Sequence, residues 1–186
     1  MRYIALHKPY GVLSQFTGAP REQTLAQFGL PKGIYAAGRL DKDSEGLLLL
    51  TDDGPFKNRL LHPKSKHKKI YWVQVEGIPT QAELKQLQQG VEIKGYRTKP
   101  CTAFAIPDPD LPPRVPPIRT RKSIPTSWLS ITLHEGKNRQ VRRMTAKIGF
   151  PTLRLIRVQI EGLKLGELNA GEWCPVSKKD ILSQSP

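Results

Sequence analysis

Residues 38 to 54 read GRLDKDSEGLLLLTDDG, and the four consecutive leucines in this stretch, Leu47 to Leu50, limit the fold more than any other feature of the chain. A run of four enclosed by Gly46 and the Thr51-Asp52-Asp53-Gly54 turn signal is too short for a free-standing helix. Without alternation it suits a strand covered on both faces. Just ahead of it, Arg39, Asp41, Asp43 and Glu45 place an arginine and three carboxylates within seven residues, so a polar loop feeds a buried strand. Side chains in that position stand on rigid support, which a catalytic group needs. A charged surface loop entering a core strand has the same composition, and charge content alone favours that plainer reading.

The chain has 186 residues, enough for one domain that buries a core without disulfides or a structural metal. Cys101 and Cys174 form no CxxC and have no neighbouring histidine pair, so both are expected as reduced thiols. No apolar stretch approaches the length of a membrane span, and too little hydrophobic sequence follows Met1-Arg2-Tyr3 for a signal peptide. A cytoplasmic location is the expectation. Thirty basic against sixteen acidic residues leave a formal charge of +14, which points to a polyanionic partner. Nucleic acid fits better than a membrane surface, because no basic amphipathic helix offers an aromatic or leucine face to lipid.

Along the chain, Tyr3 to Ser14 is a short apolar strand broken at Pro9-Tyr10-Gly11. A short helical pattern runs from Gln23 to Phe28. After the leucines, Pro55 opens a helix through Leu60 and Leu61, with Asp52 or Asp53 as its cap. Lys64, Lys66, Lys68 and Lys69, with His62 and His67, make a basic face ahead of the alternating strand Ile70 to Glu76. There Tyr71, Val73 and Val75 share one side. Thr80 to Glu83 is a capping box that starts a helix ending at Gly90, and Val91 to Ile106 suggests a hairpin around Lys94-Gly95. Residues 107 to 125 hold seven prolines with Arg114, Arg119, Arg121 and Lys122, so this segment is a stiff surface loop or disordered until bound. Its functional reading is a basic arm that reaches onto RNA, against a passive loop. A strand from Trp128 to Leu133 precedes a helix expected from Asn138, with Val141, Met144 and Ile148 on its inner face and Gly149-Phe150-Pro151 as its stop. Arg139, Arg142 and Arg143 near that helix start oppose the macrodipole, so something anionic should compensate them. Leu153 to Arg157 and Leu163 to Val176 complete two or three strands. From residues alone, the reading stops at a basic α+β RNA-binding domain with a carboxylate and arginine constellation.

The wording of three segments goes further. Gly-Arg-Leu-Asp, a spacer, Gly and a leucine run at 38 to 54, Lys8-Pro9-Tyr10-Gly11 near the start, and Glu-Gly-Lys-Asn-Arg-Gln-Val-Arg-Arg-Met at 135 to 144 resemble the pseudouridine synthases of the RsuA branch, which modify bacterial ribosomal RNA. Residues 116 to 128, PPIRTRKSIPTSW, look like an insertion of the RluE-type subgroup, which acts on large-subunit ribosomal RNA. The resemblance spans about Tyr3 to Val176. It implies an α+β fold whose mixed, mostly antiparallel sheet is flanked by helices and loops. It also implies a single catalytic domain over residues 1 to 186, without the small RNA-binding domain that precedes it in several relatives.

The implied reaction turns a uridine of 23S ribosomal RNA into pseudouridine on a base flipped out of its helix, with no cofactor and no metal. Asp41 falls on the catalytic aspartate, acting as a nucleophile or as the base for the ribose 2′ proton. Tyr71 falls on the tyrosine that stacks on the target base, and Arg142 on the arginine that pairs with the aspartate and keeps it charged against burial. Leu155 is the apolar wall of the pocket and Arg39 a candidate to fill the gap in the RNA stack. Lys68, Lys69, Arg119, Arg121, Arg139 and Arg143 are expected on phosphates. The protein is expected to be a monomer. The rivals are the same chemistry on 16S ribosomal RNA or transfer RNA, a non-catalytic ribosomal RNA-binding protein, and a metal-dependent nuclease built on Asp41, Asp43 and Glu45.

Overall fold

The leucine run is a strand, and all seven of its residues are buried: β3, Glu45–Thr51. A computed structural model describes residues 1–62, 65–119, 121 and 123–183; of the basic residues singled out above, Lys64 and Lys122 lie outside them. The chain forms two compact units, Met1–His67 with the segment from Ile156 onward, and Lys68–Leu155. Among the described residues no helix is long and apolar enough to cross a membrane.

In the first unit, β1 (Tyr3–Lys8) lies antiparallel along one edge of β3, from Tyr3 opposite Thr51 to Lys8 opposite Gly46. On its other side β1 pairs with β11 (Trp173–Pro175). The second edge of β3 is divided. At its start Glu45 and Gly46 pair in parallel with Ile156 and Arg157 of β9 (Thr152–Ile160), and at its end β2 (Tyr35–Ala36) pairs with Thr51 and Leu50. Between them the carbonyls of Leu47 and Leu49 would be orphaned in an apolar interior, at a cost of about 1–3 kcal/mol each. Arg157 Nε donates to the first at 2.8 Å and the Ala37 amide to the second at 2.7 Å.

Two aspartates after β3 divide their work. Asp53 caps α1 (Gly54–Leu61) by accepting from the Phe56 amide at 2.9 Å, and its other oxygen accepts from the Tyr3 hydroxyl at 2.5 Å and from Lys178 Nζ at 3.2 Å. Asp52 instead pairs with Arg2, Nε to Oδ2 at 2.9 Å. The Tyr3 hydroxyl, then the Phe56 amide and Lys178, hold the Asp53 carboxyl down at about 2, and burial with the same bond pushes Tyr3 up to about 12. Lys178 opens α4 (Lys178–Leu182), which has its own capping box, Ser177 with Asp180. The Ser-Lys-Lys-Asp spacing carries that signal, yet the sequence reading passed over it. The pattern at Gln23 to Phe28 is a single 3-10 turn, Leu25–Phe28.

The second unit is built on β4 (Lys69–Glu76), β8 (Thr126–Leu133) and β7 (Thr102–Ile106), antiparallel with β8 in the middle. Its core includes Val73 and Val75 of β4, Leu129 and Ile131 of β8, and Leu84 and Leu87 of α2 (Gln81–Gln89), whose capping box is the expected Thr80 and Glu83. Each of these buried aliphatic side chains contributes about 1.5–3 kcal/mol. The hairpin around Lys94-Gly95 is shorter than expected. Both residues take positive φ, 47° and 71°, as a tight two-residue turn requires, and β5 (Glu92–Ile93) and β6 (Tyr96–Arg97) end there, while β7 leaves to join β8. The described part of 107–125 has neither helix nor strand, and Arg154 Nη1 holds it through the Pro112 carbonyl at 2.9 Å. Both units combine helices with mainly antiparallel strands, the α+β class expected.

Two predictions follow from the packing around β3. Gly46 has φ +103°, and a Cβ there would lie 2.4 Å from the Arg157 carbonyl oxygen, whereas nothing lies within 4 Å of a Cβ at Gly54. Gly46→Ala should therefore lower the thermal midpoint by about 10 °C, and Gly54→Ala by no more than about 2 °C, in calorimetry of the purified variants. The second concerns acid. Asp53 has a folded value below its ordinary 3.8, so its contribution is complete above that value and is lost as pH falls through about 2. Tyr3→Phe removes the largest cause of the depression. The acid-unfolding midpoint followed by circular dichroism should move to higher pH, and an unmoved midpoint would show that the bond carries no stability.

Candidate active site

Asp41 sits in the loop before β3, half-buried, and its backbone is fixed by the segment that contains Lys8-Pro9-Tyr10-Gly11. Ser14 Oγ accepts from the Leu40 amide at 3.0 Å and donates to the Leu40 carbonyl at 2.8 Å; the Gly11 amide donates to the Lys42 carbonyl at 2.8 Å. The Ser44 amide closes a turn onto the Asp41 carbonyl at 3.0 Å. The residues on both sides of Asp41 are thus tied to one neighbouring turn. That turn is tied in its own right by Lys8, which is fully buried and whose Nζ donates to the carbonyls of Pro9 at 2.9 Å and Val12 at 2.8 Å. Burial pulls the Lys8 ammonium down to about 8 against the opposing pull of Glu45 and Asp43. The two motifs are therefore one clamp. Sequence reasoning named both and missed Lys8, Gly11 and Ser14 as the parts that join them, because hydrogen bonds across some 30 residues leave no periodic trace.

Arg39, two residues ahead of Asp41, is exposed. Glu45 is almost wholly buried where β3 begins, while Asp43 is half-buried. Among the described residues no group of three or more His, Cys, Asp or Glu is arranged to hold a metal ion. Asp41, Asp43 and Glu45 accordingly do not converge as a nuclease site demands. A half-buried carboxylate on a fixed backbone suits attack on a sugar or base, or removal of a nearby proton.

In the second unit Tyr71 lies on the same side of β4 as the fully buried Val73 and Val75, and it packs against the core to which Leu155 belongs. Lys68 and Lys69 precede it, both half-buried. The arginine-bearing helix α3 (Gln140–Lys147) starts two residues later than the periodicity suggests. Arg139 is its N-cap, exposed and left-handed at φ 51°, with no side-chain bond to a helix amide. Arg142, in the first turn, reaches the Thr152 carbonyl at 3.4 Å, and Arg143 donates to Asn138 Oδ1 at 2.7 Å. Val141 and Met144 face the core as expected. In the proline-rich loop Arg119 is exposed and Arg121 leans on Glu76 at 3.5 Å, while Arg114 folds back onto the carbonyls of Pro116 and Pro117. His67, expected on the basic face, instead meets Glu161 at 2.8 Å.

A carboxylate of the chain itself, Glu135, stands four residues ahead of Arg139. Glu135 accepts from the Tyr96 hydroxyl at 2.5 Å, the Lys99 amide at 2.9 Å and the Gln140 side-chain amide at 2.6 Å. Partial burial works to raise its carboxyl, and these three donors outweigh it and hold the carboxyl below the ordinary range.

Comparison with known proteins gives the family of the chain. The sequence profile described as RNA pseudouridylate synthase matches residues 2–147. Ribosomal large subunit pseudouridine synthase E of Vibrio vulnificus is 55% identical over 176 residues, 95% of this chain and 75% of its own length. The protein of the same name from Xanthomonas campestris is 54% identical over 173 residues, 91% of this chain and 92% of its own. A solved crystal structure of pseudouridylate synthase superposes with a TM-score of 0.80 at 28% identity, over 97% of this chain and 72% of that one. With the profile covering both the Asp41 loop and the start of α3, the chain belongs to the RNA pseudouridine synthase family.

Proposed function

We propose that the protein isomerises one uridine of 23S ribosomal RNA to pseudouridine in the cytoplasm, as a monomer, with Asp41 as the catalytic carboxylate. The observation that carries this is the clamp on the Asp41 backbone, in a chain 52–55% identical to large-subunit synthases E of three organisms. In the reaction the bond from ribose C1′ to uracil N1 breaks and a bond from C1′ to C5 forms; the C5 proton leaves and N1 gains one. No atom is gained or lost, so the chemistry calls for no cofactor.

Asp41 acts on the sugar or on the base, and Arg142 takes the role of its ionic partner, so that it stays charged in a site emptied of water. Tyr71 stacks on the flipped uracil and takes the role of acceptor for the C5 proton, with Leu155 as the apolar wall. Arg39 fills the gap left in the RNA stack. Lys68, Lys69, Arg119, Arg121, Arg139 and Arg143 hold phosphates, which adds affinity and salt dependence rather than sequence choice.

The test is pseudouridine mapping by carbodiimide adduct and primer extension on protein-free 23S RNA, with no added metal. Wild-type protein should give one new stop. Asp41→Asn should lower the rate by about 10⁴-fold or more while still binding the RNA. Product from Asp41→Asn at the wild-type rate would remove the assignment; a stop found only on 16S or transfer RNA would move the substrate. Arg119→Ala should flatten the slope of log affinity against log salt by about 1, and an unchanged slope would take Arg119 out of the interface.

A further inference from the structure

The start of α3 is an unfavourable place for a helix to begin. Its N-cap residue is an arginine in the left-handed region, a backbone that costs a non-glycine residue of order 1 kcal/mol or more, and it offers no side-chain acceptor to the first amides. Positive side chains at 139, 142 and 143 crowd the positive end of the helix dipole. Something must over-determine the turn, and one carboxylate does so from three directions. Glu135 receives the Tyr96 hydroxyl from β6, the Lys99 amide from the segment after it, and the side-chain amide of Gln140, the first residue of α3. Gln140 is nearly fully buried, and its remaining oxygen accepts from the Lys137 amide at 2.9 Å, which closes residues 135 to 140 into a ring. The Lys137 ammonium completes the lock from outside, 4.4 Å above the Tyr96 ring.

We infer that Glu135 is a positioning residue of the reaction: its carboxylate fixes where α3 begins, and so where Arg139 and Arg142 are held. This rests on the function proposed above. An anion among residues meant for phosphates would by itself weaken RNA binding, and this one spends its acceptor capacity on three donors of its own chain. A structural anchor accounts for it where a substrate contact does not.

Glu135→Gln, Glu135→Ala and Tyr96→Phe separate the possibilities. A glutamine can still accept from the Lys99 and Gln140 groups and donate to the tyrosine oxygen, so Glu135→Gln should keep single-turnover kcat within about threefold of wild type. Glu135→Ala loses all three bonds and should lower kcat by about 10–100-fold, with Tyr96→Phe in between. Over the same variants, affinity for an RNA hairpin lacking the target uridine should fall by about threefold in Glu135→Ala, where Arg139 is no longer held for its phosphate, and stay within about twofold of wild type in Glu135→Gln. Hydrogen exchange supplies a readout independent of activity: amides at the start of α3 should exchange at least about tenfold faster in Glu135→Ala and at the wild-type rate in Glu135→Gln. Unchanged exchange in a folded Glu135→Ala would overturn the inference whatever the reaction, and so would a glutamine variant as impaired as the alanine one. Wild-type protein that makes no pseudouridine would overturn the proposed reaction instead, and the exchange result would still decide the role of Glu135.

Discussion

The pairing of two residues at the start of β3 governs the first unit. Glu45 and Gly46 run parallel to Ile156 and Arg157 for only that length, and the backbones approach so closely that a single Cβ would collide with a carbonyl oxygen. The same contact aims Arg157 along β3, where its guanidinium takes over the Leu47 carbonyl once the strands part. A strand of four leucines can be buried on both faces only if every backbone acceptor is met inside the protein. The loop that carries Asp41 enters the interior at this point, so the placing of a charged residue and the saturation of a hydrophobic strand are one problem with one solution.

Electrostatics follows a related economy. A chain with a formal charge of +14 has to keep its own cations from crowding its helix ends. Asp53 gathers a hydroxyl, an amide and the ammonium of Lys178 at α1; Glu135 gathers a hydroxyl and two amides ahead of α3. Both carboxyls are held below their ordinary range by donors that surround them. Each of these two carboxylates meets three donors.

Much of this was legible in the sequence, for identifiable reasons. The buried strand Leu47 to Leu50, the inner face of β4, the capping box at Thr80 and the inner face of α3 all rest on local periodicity or on spacings of three and four residues. The resemblance singled out Asp41, Tyr71 and Arg142 as the residues expected to carry the chemistry. The bonds that join distant segments were not legible: Ser14 to Leu40, Arg157 to Leu47, and Glu135 to Tyr96 and Gln140. Serine, arginine and glutamate are common surface residues, and nothing in their neighbours shows that a particular one is turned inward. The late start of α3 was missed for a similar reason, since an arginine in the left-handed region is the opposite of what capping preferences suggest and persists only through tertiary bonds.

Lys8 has a consequence of another kind. Its amine is enclosed and bound to two carbonyls, yet it is held close to neutrality at mildly alkaline pH, where acylating reagents attack whatever lysine they can reach. Solvent-exposed lysines are modified at once, whereas an amine without access is modified only when the turn around it opens. The rate at which Lys8 takes up such a label is a clock built into the chain, and it counts the openings of the same turn that holds the loop of Asp41.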